Sequence, residues 1–383
     1  MKRTGQIISA LALLLFAQAA QADWTATKRL TWNSGSSWAS AIGAYPPGYL
    51  YVVYNDDAAG NSNLYLKKST DNGATWTPSK RLTWMSGDAY MAAMAINGYG
   101  YLYLVWYDDT PGNDDLYFKK STDGGASWSA SQRLTWTAGA SHRPQIAADS
   151  FGHLHVVWNE ETAGGWEICY KKSTDGGDSW LASKRITWTG GASAYPRIAA
   201  DSSGYLHVIW KEELAANAEI FTKKSTDNGD TWTTNKRLTW NAGDSWSPAM
   251  AMSSSGDIHV VWDDDTPDNR EIYYKKSTDG GDAWTANTRA SSTSGASSYA
   301  AIAVDSSGHL HVVWMDDTPG NWEIYHCQST NGGASWSPGR RLTWNSGQSS
   351  FAALAVDTLD NLHAVWSDAT PGNFEVYYKK YVK

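Results

Sequence analysis

The sequence predicts an all-β protein, a seven-bladed β-propeller of four-stranded blades. Three observations predict it. First, a pentapeptide recurs at one unvarying step. "KRLTW" starts at Lys28, Lys80 and Lys236, "QRLTW" at Gln132, "KRITW" at Lys184, "TRASS" at Thr288 and "RRLTW" at Arg340, always 52 residues apart. Second, each unit holds four stretches rich in β-branched and aromatic residues, bounded by Gly, Asn, Asp, Ser or Pro, with no helical periodicity. Third, the ends are complementary. "DWTATKRLTW" from Asp23 is the last quarter of a unit, and "NFEVYYKKYVK" stops just short of that quarter. Radial repetition of four-stranded sheets satisfies all three, and joining the ends leaves no open edge.

The elements follow in order. Lys2 and Arg3 precede an apolar run from Ile7 to Ala17 and then Ala20-Gln21-Ala22. That is the pattern of a secretory leader over residues 1–22, cleaved after Ala22. The run is too short to span a bilayer, and no longer one follows. A secreted or periplasmic protein with no membrane span is the expectation, with residues 23–383 forming a single propeller. In the fourth unit the strands are expected at Ala194–Asp201, Tyr205–Glu212, Ala218–Ser225 and Thr231–Trp240. The blades run near Ser37–Trp84, Ala89–Trp136, Ser141–Trp188, Ser193–Trp240, Ser245–Ser292 and Ser297–Trp344. The seventh is Ser349–Lys383 completed by Asp23–Trp32. Cys169 and Cys327 fall in the third strands of blades three and six, too far apart for a disulfide. They are expected as free thiols.

Between the third and fourth strands runs an octapeptide: "STDNGATW" at Ser69, "STDGGASW" at Ser121, "STDGGDSW" at Ser173, "STDNGDTW" at Ser225, "STDGGDAW" at Ser277 and "STNGGASW" at Ser329. This S-x-D-x-G-x-S/T-W pattern resembles the Asp-box of the bacterial neuraminidase repeat, found in sialidase-like propellers both enzymatic and non-enzymatic. The resemblance covers nearly all the chain after the leader and implies a β-hairpin. Asp71, Asp123, Asp175, Asp227, Asp279 and Asn331 would accept turn amide protons there, a structural role on the face opposite the usual ligand face.

Whatever recurs in every blade is most simply scaffold. Of the 23 tryptophans, nineteen fall into three columns: the Asp-box, "RLTW" and "HVVW" columns. Trp38, Trp166, Trp246 and Trp322 are left over. Trp38 and Trp246 share a 4–1 loop position with Tyr90. Trp166 and Trp322 share a 2–3 loop position with Phe374 and Arg270. Both loops belong to one face. Beside them the end of strand two holds an acidic column that includes Glu160 and Glu212. Its carboxylates are expected to cap turns and to pair with the "RLTW" arginines. His155, His207, His259, His311 and His363 form a core column. No zinc spacing stands out, and no "DxDxDG" loop marks calcium, so no metal or cofactor is expected; calcium has only the oxygen-rich rim in its favour.

The formal charge of −8 repels phosphate backbones, so nucleic acid is not expected as a partner. Glycans or a glycosylated surface are. Aromatic faces beside carboxylates and amides suit sugars, and several weak sites on one rigid face would give avidity. The reading is a monomeric, secreted, non-enzymatic, multivalent carbohydrate-binding propeller, with no catalytic residues assigned. The ligand-binding candidates are Trp38, Trp166, Trp246, Trp322, Tyr90, Phe374, Arg143, Arg197, Arg270, Glu160 and Glu212. Two alternatives stay open. The resemblance to sialidases implies a glycoside hydrolase gripping a substrate carboxylate with arginines, but the family's F/Y-R-I-P motif is missing, the nearest stretches being "SHRP" at Ser141 and "YPRI" at Tyr195. The other alternative is a protein–protein interaction scaffold.

Overall fold

The second stretch of each unit is an apolar run such as "LHVIW", and burial on both sides is its consequence: Leu206, Val208, Ile209 and Trp210 are all fully buried. Such runs form the middle of a sheet clamped between two others. In a computed structural model, which describes residues 23–266 and 269–383, seven antiparallel sheets stand in a ring. Six have the order first–second–third–fourth strand; in blade four these are Ser193–Ala200, Leu206–Glu213, Ala218–Ser225 and Lys236–Arg237. Each first strand packs beside that of the next blade, and blade seven packs back onto blade one. Among the described residues all regular structure is strand, and no helix is long and apolar enough to cross a membrane. The leader expected over residues 1–22 lies outside the described residues.

Closure is as expected. Asp23 and Trp24 pair with Val382 and Tyr381, and Lys28 and Arg29 pair with Tyr378 and Tyr377. The N-terminal segment is thus the outer strand of blade seven. Cys169 and Cys327 are free and buried. One strand is much shorter than its expected length. Of Thr231–Trp240 only Lys236–Arg237 forms a ladder. An outer strand has one neighbour, and here the Thr233 amide first bonds Lys224 O at 2.9 Å before the chain leaves the sheet and returns.

The Asp-box is a turn device. Asp71 Oδ1 accepts from the Thr75 amide and the Ser69 hydroxyl, both at 2.8 Å, and Ser69 Oγ accepts from the Gly73 amide at 2.9 Å. The Thr75 hydroxyl and amide hold the Asp71 carboxyl down to about 2. Asn331 accepts the same amide and hydroxyl, both at 2.9 Å. Gly73 is left-handed (φ 83°), and a Cβ there would strike the Tyr378 hydroxyl of the preceding blade. Trp76 meets the same Tyr378 ring edge-on at 5.1 Å. The 1–2 turn lies beside it, since the Asn72 amide bonds Gly48 O. Asp-boxes and 1–2 turns therefore share one face.

Two columns differ from expectation. The "HVVW" indoles are buried, but the six "RLTW" indoles are not: Trp32, Trp84, Trp136, Trp188, Trp240 and Trp344 are 65–69% exposed. The "RLTW" arginines pair with the residue that opens the third strand, not with the acids ending the second. Arg29 meets Glu375 at 2.8 Å, Arg133 meets Asp115 at 2.5 Å and Arg341 meets Glu323 at 2.7 Å. The strand-two acids do cap turns: Asp108 accepts the Thr110 amide at 2.9 Å and Asp368 the Thr370 amide at 2.9 Å.

Candidate ligand-binding site

The first strands face the central channel, and their register decides which side chains reach its mouth. In blades two to seven the pairing shifts after the second residue, as from Tyr90↔Tyr107 to Ala93↔Val105. The residue that follows is left-handed in all six: Met91, Arg143, Tyr195, Ser247, Tyr299 and Phe351, with φ between 45° and 56°. Such a conformation costs a non-glycine residue about 1 kcal/mol or more, and a bulge re-aims its side chain. All six line the channel cavity of about 690 Å³.

Most of that lining is apolar. Two residues beyond the bulge position stand Ala41, Ala93, Ala249, Ala301 and Ala353, but blades three and four place Gln145 and Arg197 there. Arg143 and Arg197 therefore bring two guanidiniums into one wall. Neither has a carboxylate partner among the described residues. Arg197 Nη1 donates to Pro196 O at 3.0 Å, and Arg143 lies over the Tyr195 ring at 3.9 Å from its centroid. Burial, then the charge of Arg143, brings the Arg197 guanidinium down to about 10. Among the described lining residues there is no Asp, Glu or His. The wall thus carries two cations beside the Tyr195 phenol ring in an otherwise largely apolar lining.

The expected aromatics gather around this mouth in three groups. Trp38 contacts Phe374 at 6.1 Å across the junction of blades one and seven. Tyr90, Tyr107, His142 and Trp166 form a continuous run with centroid spacings of 5.7, 4.9 and 5.0 Å. Trp246 meets Tyr195 edge-on at 6.1 Å, with Lys211 at 4.0 Å and Arg270 at 6.0 Å over its ring. Trp322 makes no ring contact with these groups; it packs against the apolar cluster between blades six and seven. Trp38, Tyr90 and Trp246 belong to the first strands and Trp166 to a third strand, so four of the expected loop positions are in strands.

Three expected polar residues are engaged internally. Glu160 and Glu212 are 5% and 1% exposed. Their Oε2 atoms accept from the Trp158 and Trp210 indoles at 2.6 and 2.9 Å, and from the Ser141 and Ser193 hydroxyls, both at 2.6 Å. This takes both carboxylates off the ligand face. Arg270 lies 3.4 Å from Asp263. Burial nevertheless pushes the Asp263 carboxyl up to about 6.

Sequence reasoning missed Tyr107, Gln145, Tyr195 and Tyr299. Gln145 was findable as a break in the alanine column; the tyrosines were not, because aromatics abound in every strand. It also passed over His153. Asp149, His153 and His155 have ligand atoms within 4.8 Å of one another. Asp149 Oδ2 accepts from His153 at 2.9 Å and lies 3.3 Å from His155. At the matching turn Asn361 and His363 bond Asp357 in the same way, at 2.8 and 3.1 Å. Hydrogen bonding of a turn is enough to account for the trio.

Comparison with known proteins fits this architecture. Residues 133–296 match the model of a BNR repeat-containing family member. No curated protein matches the chain. Among solved structures, the polysaccharide lyase Uly1 superposes with a TM-score of 0.63 at 11% identity, over 90% of this chain and 90% of that one. The α-L-arabinofuranosidase Arb93a of Fusarium graminearum gives 0.57 at 16% identity, over 77% and 93%. The Hadza microbial sialidase Hz136 gives 0.52 at 15% identity, over 84% and 74%. At these identities the likeness is one of fold.

Proposed function

We propose, from the premise that this is a seven-bladed propeller of BNR repeats with sialidase-like structural neighbours, that the protein is a secreted, non-enzymatic carbohydrate-binding protein. Its ligand is an acidic glycan held at the channel mouth. The observation that carries the reading is the pair Arg143 and Arg197, two cations in one wall with no carboxylate partner among the described residues. A sugar carboxylate would take the place of that missing partner. Flanking sugar rings would lie on Trp166 and His142 to one side and on Tyr195 and Trp246 to the other.

The binding reading is favoured over hydrolysis by the lining itself. The two-carboxylate route of most glycoside hydrolases needs a pair of carboxyl groups flanking the scissile bond, and the described lining has none; a sialidase-type site would instead need an activated tyrosine. The Tyr299 phenol is pushed by burial, and next by Tyr195, up to about 12, away from use as a base at neutral pH.

A glycan array tests this, run with parent protein and with Arg143→Ala plus Arg197→Ala. The expected result is binding to carboxylated glycans, unaffected by chelator and lost in the variant. Turnover of a fluorogenic sialoside that disappears in Arg197→Ala would replace this reading with the hydrolase.

A further inference from the structure

The six exposed indoles form a second array. Each stands three residues past the short outer strand of one blade, beside the third strand of the next. In the groove between blades two and three, the Arg133 guanidinium lies 5.8 Å from the Trp136 ring centroid and Lys171 Nζ lies 5.7 Å from it. Lys171 donates to Leu134 O at 2.9 Å. Arg133 uses Nε on Thr135 O at 2.8 Å and one Nη on Asp115 at 2.5 Å. Its other Nη makes no hydrogen bond to protein among the described residues. The same arginine-over-indole contact recurs at 5.7–5.8 Å in all six grooves.

The seventh groove is the control that the molecule carries within itself. Between blades five and six, Ser292 stands in the tryptophan position and Cys327 in the lysine position. Yet Arg289 still donates Nε to Ser291 O at 2.8 Å and still pairs with Glu271. The ion pair and outer strand therefore form without the indole. Indole and lysine are lost together, as expected of two parts of one surface feature. Six large apolar rings left two-thirds exposed in one column are not scattered singles.

We infer that these grooves are peripheral subsites for an acidic polysaccharide, each stacking one uronate ring on an indole and taking its carboxylate on the free arginine Nη. In the groove of Trp136 two cations face one carboxylate, so an anionic sugar complements the charge; in the groove of Trp84, Asn63 stands where Asp115 does and no carboxylate opposes them. Similar subsites around a rigid ring let one chain engage several in turn, and avidity follows. This goes beyond the channel-mouth reading and does not need it.

The test is native gel retardation of the full chain in polygalacturonate, with linear, uronate-free xylan as the neutral polymer. Parent protein is expected to be retarded by polygalacturonate and far less by xylan. Trp136→Ala should weaken apparent affinity roughly twofold to fivefold, and Trp84→Ala with Trp136→Ala, Trp188→Ala and Trp240→Ala by about tenfold or more. Ser292→Trp with Cys327→Lys should strengthen it. Retardation equal to parent in the tryptophan variants, equal retardation in xylan, or binding to phosphatidylglycerol vesicles in place of polygalacturonate would overturn the inference. Arg143→Ala with Arg197→Ala should keep most of the retardation. If that variant alone abolishes it, the rim inference fails and the channel reading stands; if only the rim variants lose it, the reverse holds. Should the quadruple variant not fold, Trp136→Ala decides.

Discussion

The guanidinium of Arg143, on blade three, lies 3.9 Å from the ring centroid of Tyr195, on blade four. Both side chains leave the backbone at left-handed residues, so the contact is made by two matching bulges across a blade junction. The ring orients a cation that has no carboxylate partner among the described residues, two positions' reach from Arg197 on the same strand as Tyr195.

A bound carboxylate should therefore stabilise the protein. Glucuronate at a hundredfold excess over its Kd is expected to raise the melting temperature by about 2 °C or more. Arg143→Ala with Arg197→Ala should show no such rise in differential scanning fluorimetry. An equal rise in both would place the anion elsewhere.

Asp263 gives a pH-dependent prediction. Burial raises its carboxyl to about 6 against the attraction of Arg270. A carboxyl with a raised folded pKa is held more firmly protonated in the folded state. Its contribution to stability is thus present near pH 4 and lost as pH rises towards about 6. Asp263→Asn is expected to raise the melting temperature at pH 7.5 by about 1–3 °C and to give no rise at pH 4. The same gain at both values would contradict the buried-charge account.

The histidine column has the opposite sign. Burial lowers His259 and His311 to about 4, and lowers His326, on the third strand beside His311, to about 3. Their neutral forms are favoured by folding, so stability is complete above the unfolded value of about 6.5 and lost as pH falls through 6.5 towards 4 and 3. The repeats suggest the matching variant. His259 bonds the Tyr274 hydroxyl at 2.7 Å, whereas blade two stacks Tyr103 on Phe118 at those positions. His259→Tyr with Tyr274→Phe should fold and flatten the acid-side slope of melting temperature. An unchanged slope would remove His259 from the account.

Ring closure separates two tryptophans of one short segment. Trp24 is 9% exposed and donates its indole N–H to His326 Nδ1 at 3.4 Å; Trp32 is 67% exposed. Trp24→Ala should cost about 3–5 kcal/mol in denaturant unfolding, and Trp32→Ala no more than about 0.5 kcal/mol. Similar costs for both would mean that Trp24 does not fasten the ring.

The blade count, the closing strand and the Asp-box turns were legible because each leaves a periodic mark in residue type. Periodicity does not separate an inward column from an outward one, so the indoles at Trp84 and Trp136 read like that at Trp106. Pairing partners depend on register: Arg81 sits opposite Tyr65, which brings its guanidinium to Asn63 rather than Asp56. The left-handed bulges were invisible because Met91, Tyr299 and Phe351 are not residues that signal positive φ. Arg143 and Arg197 were legible as departures from columns of small or aromatic residues, and the bulges explain why those departures meet.

The outer strand of blade seven also sets an order of events. Arg29 and its partner Glu375 are 346 positions apart. During synthesis at about 5–20 residues per second, the first strand made waits roughly 20–70 s for its neighbour. Until then the growing toroid has a gap, and the row of amides on its last sheet can recruit a foreign strand. Only a chain translated through the Glu375–Val382 strand can seal itself, so a shorter fragment announces its incompleteness as a sticky edge.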